Sequence, residues 1–262
     1  MPSAGFFSAY ARHRAAEGRA MSPDVVRTLP YLCQGPLARQ WRVRAKTYEA
    51  FIRRVVKPMA AGRDAPLQIL DLGAGNGWLC HRLRGLGHEL VAVDVRDDTI
   101  DGLGIAAALS AEEPVPFACV TASFEALPLA PGHFDIVVFN ASLHYAQNLS
   151  RALGEAMRVT SSSGVIAIMD SPFYRHPGDG EAMVAEKRAQ GFVRFGTAAP
   201  VLLAPQFIEY LTRESLAAAS PSLCWRRHRV RYPLWYEMRP LLARLGGRRA
   251  PSRFDLWTAR VP

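Results

Sequence analysis

Residues 69–78 read Ile69-Leu70-Asp71-Leu72-Gly73-Ala74-Gly75-Asn76-Gly77-Trp78. An apolar run passes without a spacer into three glycines at alternate positions, and a helical pattern follows. Glycine suits such a strand-to-helix turn because the turn visits positive φ and because bare backbone can approach a ligand closely. Two nearby acids narrow the choice of ligand. Asp94 closes the next apolar run, 17 residues after Gly77, where a carboxylate can accept both hydroxyls of an adenosine ribose. Asp71 stands two residues before the first glycine, where it would repel a pyrophosphate and suit a cation. The dinucleotide fingerprint G-x-G-x-x-G/A also wants a small third residue for close helix–strand packing. Trp78 occupies that place, so a nicotinamide dinucleotide is the poorer fit.

Working outward, short apolar runs alternate with helical stretches: strands at 67–72, 89–95, 116–122, 134–140 and 164–170, helices at 76–86, 98–109 and 147–159. This alternation, with strands apolar nearly throughout, predicts an α/β fold with a doubly wound, mostly parallel sheet covered on both faces. Upstream, Leu37, Trp41, Tyr48, Ile52 and Val55 recur on one side of a helix expected from Pro36 to Lys57, ended by Pro58, Gly62 and Pro66. Residues 1–62 are expected to form an N-terminal helical cap and 63–262 the sheet domain. Residues 171–222 read as a helical lid inserted between strands five and six, rich in apolar residues (Phe173, Phe192, Phe195, Leu202, Leu203, Phe207, Leu211). Extended segments follow at 223–232 and 253–261, separated by a helix at 234–245.

The 262 residues, 49% of them hydrophobic, can build one sizeable core. No apolar run approaches the roughly 20 residues of a membrane span, and the N-terminus places its charges after a short apolar stretch, the reverse of a signal peptide. The expected location is cytoplasmic, with no membrane span. Cys33, Cys80, Cys119 and Cys224 form no CxxC pair, which predicts buried reduced thiols and neither a disulfide framework nor a zinc site. The net charge of +9 is unevenly placed: 11 basic against 3 acidic residues in 1–57, 11 against 18 in 58–223, and 10 against 2 in 224–262. Basic ends around an acidic centre suit an anionic partner such as RNA, a phosphorylated metabolite or an acidic membrane surface. Equally, only three of the 32 basic residues are lysine, a coding-bias signature, and arginines on solvated helix faces need no ligand.

The run Asp71-Leu72-Gly73-Ala74-Gly75-Asn76-Gly77 resembles motif I of the class I S-adenosylmethionine methyltransferases, and Asp94 matches their ribose-binding acid. Ser123-Phe124-Glu125-Ala126-Leu127-Pro128-Leu129 is similar to the next motif, with Ser123 where the family usually carries an Asp facing the adenine amino group. Phe134 to His144 resembles the fourth strand and the turn over the cofactor, and Arg158 and Gly164 fall where the family runs from a helix into strand five. The resemblance covers about residues 40–170 and is nearest to the ubiquinone and menaquinone methyltransferase branch.

The resemblance implies a seven-stranded Rossmann-like sheet whose last strand, at 253–261, is antiparallel. It implies S-adenosyl-L-methionine as cofactor, leaving as S-adenosyl-L-homocysteine, with no metal. Its cofactor site would be Asp71, Gly73, Ala74, Gly75, Asn76, Gly77, Asp94, Val95, Ser123, Phe124 and Asn140, with Trp41 and Arg44 of the cap closing over the cofactor carboxylate. His144 is the candidate general base, since an imidazole titrates near neutrality. Tyr145 and Tyr174 would line the acceptor pocket, and Asp170 would bind a polar group of the acceptor. His176, between Arg175 and Pro177, reads as an exposed loop residue. The function so implied is methyl transfer to oxygen, nitrogen or carbon of a small organic acceptor, in specialised or quinone-like metabolism, by a monomer or homodimer. An RNA methyltransferase using the arginine-rich ends is the second reading, although no Asn-Pro-Pro-Tyr-type sequence follows strand four. A non-catalytic binding or regulatory protein on the same fold is the third.

Overall fold

A computed structural model describes residues 3–204 and 206–262; Met1, Pro2 and Pro205, which belong to the expected cap and lid, lie outside the described residues. In chain order the elements are α1 (Ala4–Ala16), α2 (Pro23–Thr28), α3 (Ala38–Phe51), α4 (Lys57–Ala60), β1 (Gln68–Leu72), α5 (Trp78–Arg84), β2 (Glu89–Asp94), α6 (Leu103–Ala111), β3 (Ala118–Thr121), β4 (Phe134–Asn140), α7 (Leu149–Val159), β5 (Thr160–Met169), α8 (Pro177–Ala189), α9 (Gly191–Phe195), α10 (Ala199–Leu202), α11 (Arg213–Ala219), β6 (Arg226–His228), α12 (Leu234–Glu237), α13 (Arg239–Leu245) and β7 (Leu256–Arg260).

The strands form a seven-stranded sheet in the order β3-β2-β1-β4-β5-β7-β6. β1 to β5 pair in parallel, and β7 runs antiparallel to both β5 and β6. The order reverses at β1, which lies between β2 and β4, and ligands of doubly wound sheets bind in the crevice at such a switch point. Alternation along the strands explains the two layers. Ile69, Ile136, Val138, Val165 and Ala167 join a core with α3, α5 and α6, whereas Leu70, Leu72, Val137, Phe139 and Ile166 join a second core with α7 and α11. Both sheet faces are thus apolar because both are covered.

Several expected boundaries move, each for a local reason. The helix starting at Ala38 does not stop at Pro58: it passes through a π-helical turn at Ile52–Val56 and runs on to Ala60. Proline removes the N–H that would bond four residues back, and the wider turn, in which Lys57 N–H donates to Ile52 O, accommodates it. The helix expected from 98 begins only at Leu103, because the Asp98 carboxylate takes the N–H groups of Ile100 and Asp101 into a turn of its own. The strand expected over 223–232 shrinks to Arg226–His228, the only residues that pair with β7. The thiol expectation is corrected too: Cys80 is buried and Cys119 half-buried, but Cys33 and Cys224 are exposed. Among the described residues no helix is long and apolar enough to cross a membrane.

Candidate active site

The glycine turn is built as the spacing requires. Gly73, Gly75 and Gly77 all have positive φ, +75°, +54° and +73°. A Cβ on Gly73 would lie 2.3 Å from Ser142 Cβ, and one on Gly77 would lie 2.6 Å from Ala106 Cβ of α6. The first glycine therefore lets the turn nestle against the end of β4, and the third lets helices pack. Gly77, expected to hold cofactor, is a packing residue and is absent from the wall of the cavity above the turn.

That cavity opens at the carboxyl ends of β1, β2 and β4, with ≈ 180 Å³ accessible to the centre of a water molecule. Its floor and walls bring together Gly73, Ala74, Gly75, Asn76, Asp94, Val95, Ser123, Phe124, Asn140, Tyr145, Trp41 and Arg44, residues spread over a hundred positions of sequence. Asp94 is held by two backbone donors: Gly75 N–H to Oδ2 and Arg96 N–H to Oδ1, both 2.9 Å. Burial pushes its carboxyl up, and the Arg96 and Gly75 N–H groups partly offset this. The carboxylate is thereby fixed at the loop rim with lone pairs left for a ligand.

Asp71 lies beneath the turn, fully buried. Cys80 Sγ donates to its Oδ2 at 3.7 Å, and Oδ1 has no partner. Burial pushes Asp71 up to about 7, with the Asp94 charge adding to the rise, while the Cys80 hydrogen bond and Arg44 pull the other way. Arg44 reaches the site from α3. Its guanidinium lies 4.4 Å from the Trp41 ring centroid and 5.5 Å from that of Trp78. It donates to Asp170 Oδ2 at 3.2 Å and to Asn140 Oδ1 at 3.1 Å. Asp170, expected in the acceptor pocket, instead anchors Arg44 from outside the cavity wall, with φ +55° and Oδ1 unpartnered. Backbone in that region is costly for a non-glycine residue, and such strain collects at sites the surroundings over-determine.

Two further expectations are corrected in position. Tyr174 stands apart, packed edge-on to Tyr210 with its hydroxyl accepting from Arg249 at 3.1 Å. His144 is half-buried beside the cavity rather than in its wall, its ring centroid 4.3 Å from that of Tyr145 and its Nδ1 3.4 Å from Ser171 Oγ. Desolvation, then the charges of Lys187, Arg14 and Arg44, push the imidazole down to about 3. It is neutral at physiological pH and a weak proton acceptor.

The sequence predicts a cap from residues 1–62 and a lid from 171–222 but not which α1 side chains line the roof. Helix α1 lays Phe6, Phe7, Tyr10 and Arg14 over the cavity, and Phe207 from the 171–222 stretch completes it. Arg14 Nε and Nη2 both reach Asp101 Oδ2, at 2.7 and 2.6 Å, while Asn76 Nδ2 donates to Asp101 Oδ1 at 3.2 Å. The Tyr10 and Tyr145 hydroxyls meet at 2.9 Å, and Phe6 packs edge-on to Phe207. No spacing rule marks α1 as a roof, because its apolar residues have neither a clear stripe nor a motif. Of the other expected lid residues, Phe173 stacks on Trp257 and Phe192 points to solvent. Among the described residues no cluster of His, Cys, Asp or Glu is arranged to hold a metal ion.

Fold, switch-point cavity and glycine turn define the class I methyltransferase architecture. Residues 70–168 match the family model described as a methyltransferase domain. It is 33% identical over 101 residues to a malonyl-[acyl-carrier protein] O-methyltransferase of Pectobacterium atrosepticum, covering 38% of this chain and 37% of that protein. It is also 31% identical over 104 residues to the mitochondrial arginine-hydroxylase NDUFAF5 of Mus musculus, covering 39% of this chain and 28% of that one. The chain thus matches well under half the length of either relative. A solved S-adenosylmethionine-dependent methyltransferase from Methanosarcina mazei superposes with a TM-score of 0.51 at 13% identity, covering 79% of this chain and 96% of the other, a likeness of fold alone.

Proposed function

We propose that the chain transfers a methyl group from S-adenosylmethionine to an oxygen of a small, largely apolar organic acceptor. The observation that carries this reading is Asp94: a carboxylate pinned by Gly75 and Arg96 N–H groups at the rim of a turn without side chains, in the wall of the cavity above that turn. An adenosyl ribose fits that carboxylate, and an acid in the cavity wall suits a ligand with a positive centre. The donor set toward the cap is cationic, with Arg44 and Arg19 in the wall, which suits the carboxylate of a methionine moiety. Trp41 Nε1 is buried without a partner in this protein and is free to donate there.

When bound, the sulfonium supplies an electrophilic methyl, so the protein's share is alignment and exclusion of water. Asp94 orients the ribose, the Gly73–Gly75 turn lets the ligand sit against backbone, and α1 closes the cavity over both. Phe6, Phe7, Tyr10, Tyr145 and Phe207 form an aromatic wall toward the acceptor side, favouring a planar or apolar acceptor over a sugar or nucleotide. The similarity to malonyl-[acyl-carrier protein] O-methyltransferases supports oxygen as the methylated atom. The similarity to an arginine-hydroxylase supports keeping cofactor binding and methyl transfer as separate measurements, since one fold hosts several chemistries.

Calorimetry with S-adenosylhomocysteine tests the reading. Micromolar-range binding is expected, weakened roughly 100-fold or more in Asp94→Ala, on the scale of losing hydrogen bonds to a charged group. Folded wild-type protein that takes up no heat from either S-adenosylmethionine or S-adenosylhomocysteine would overturn it.

A further inference from the structure

The arginine-rich C-terminal region has no part in the cavity, and it carries a second surface. Helices α12 and α13 continue one another through Met238: Met238 N–H donates to Leu234 O at 2.9 Å and Leu242 N–H to Met238 O at 3.0 Å. One side of this two-helix run is committed to the fold. Tyr236 is buried, and Trp235 packs against the main core with the Arg39 guanidinium 4.1 Å above its ring. The other side is bare. Leu234 is 76% exposed, Met238 37%, Leu241 48%, Leu242 59% and Leu245 76%. At about 100° per residue these five side chains fall in one stripe roughly 100° wide. Other apolar side chains are exposed elsewhere, Phe192 and Val193 among them, but five in one helical stripe form a contiguous patch, and such a patch marks a contact surface.

The charge around the stripe says what covers it. Residues 226–253 hold nine arginines and one acid, Glu237. Arg227, Arg249 and Arg253 are paired with Asp255, Glu186 and Glu237. Arg226, Arg229, Arg231, Arg239, Arg244 and Arg248 have no carboxylate partner among the described residues; Arg239 lies over the Tyr236 ring and donates to Ser252 O, and Arg244 and Arg248, at and just beyond the end of α13, are exposed. A second copy of this chain seated on the stripe would bring the exposed Arg244 and Arg248 guanidiniums against their own equivalents, while the nearby acids Glu237 and Glu186 are already paired with Arg253 and Arg249. A nucleic acid would meet the arginines and leave the leucines in water. A bilayer containing anionic phospholipid satisfies both, with leucines among the upper acyl chains and guanidiniums at phosphate level.

We propose that α12–α13 docks the protein on an anionic phospholipid surface. This reading does not depend on what the cavity binds. The test is vesicle cosedimentation with the full chain, using phosphatidylcholine vesicles with and without phosphatidylglycerol. Binding is expected only to the mixed vesicles and is expected to weaken with added salt. The triple variant Leu241→Gln/Leu242→Gln/Leu245→Gln should lose it, and Arg244→Gln/Arg248→Gln should weaken it roughly tenfold or more. All five positions are exposed, so unchanged circular dichroism and an unchanged melting temperature should show that the variants fold. Three outcomes overturn the proposal: no sedimentation of folded protein with mixed vesicles; vesicle binding that survives the leucine triple variant, which is charge adhesion alone; or a concentration-dependent dimer that the triple variant breaks while vesicles are ignored.

Discussion

At the scale of single residues, one type of side chain serves opposite ends here according to burial. Asp94 and Asp71 are both carboxylates beside the same turn, yet Asp94 faces the cavity with two backbone donors, whereas Asp71 is sealed below it with one oxygen unpartnered. His144 shows the same dependence on surroundings. An imidazole pushed down to about 3 stays neutral throughout the physiological range and binds a proton poorly. The expected outcome for His144→Gln is therefore a modest loss, within about tenfold in kcat, where a true general base would cost about 10²–10⁴. The wild-type rate should also show no inflection near pH 6.5 assignable to this residue. A kcat–pH profile of both proteins settles the point, and a loss of three orders in the variant would restore His144 as the base.

At the scale of elements, α1 differs from the rest of the fold in what holds it. Its apolar contacts form a small satellite cluster (Phe6, Ala9 and Leu202, with Phe195 and Phe207 beside them) separate from the two sheet cores. Its polar anchor is the Arg14–Asp101 pair. Elements with few buried contacts open at lower free energy than core strands, so α1 is suited to admit and release ligand. Arg14→Met keeps most of the packing volume and removes both donors to Asp101. Dissociation of S-adenosylhomocysteine should then quicken about 10- to 100-fold, the scale of hydrogen bonds to a charged group. Stopped-flow displacement measures it. An unchanged dissociation rate would mean that the roof is not held by this pair.

For the whole molecule, Asp71 ties the site to global stability. Its folded value, about 7, lies above the unfolded reference of 3.8, so the native state binds a proton more tightly than the unfolded chain. The stabilisation from that proton is complete below about pH 4 and is lost as pH rises to about 7, a change of about 4 kcal/mol at most. Asp71→Asn should remove that part of the pH dependence, so the variant's advantage over wild type grows between pH 4 and 7 and then levels off. Urea unfolding of ligand-free protein across this range measures it. Parallel curves for the two proteins would contradict the raised value.

Much of this was legible in advance. Near-continuous apolar runs mark strands that are covered on both faces, and three glycines beside two acids mark the ligand turn, because each depends on residues close in sequence. Which α1 side chains line the roof, the Asp101 hub and the withdrawal of Tyr174 were not legible, because nothing within a few residues of Phe6, Arg14 or Asp101 records which distant segment will lie against it. Gly77 illustrates the limit: its positive φ was readable, but whether the missing side chain made room for a ligand or for Ala106 depended on where α6 came to rest.

By itself, the amino-acid sequence determined the layered sheet, the side-chain-free turn and the carboxylate at the end of the second strand, since local pattern dictates strand, turn and helix. Only the tertiary structure decided which α1 side chains cover the cavity, that Asp170 is occupied with Arg44, that His144 sits half-buried among the charges of Lys187, Arg14 and Arg44, and that five apolar side chains of α12–α13 face outward. Each of those depends on desolvation and on contacts between segments far apart in the chain, and such contacts exist only once the chain has folded.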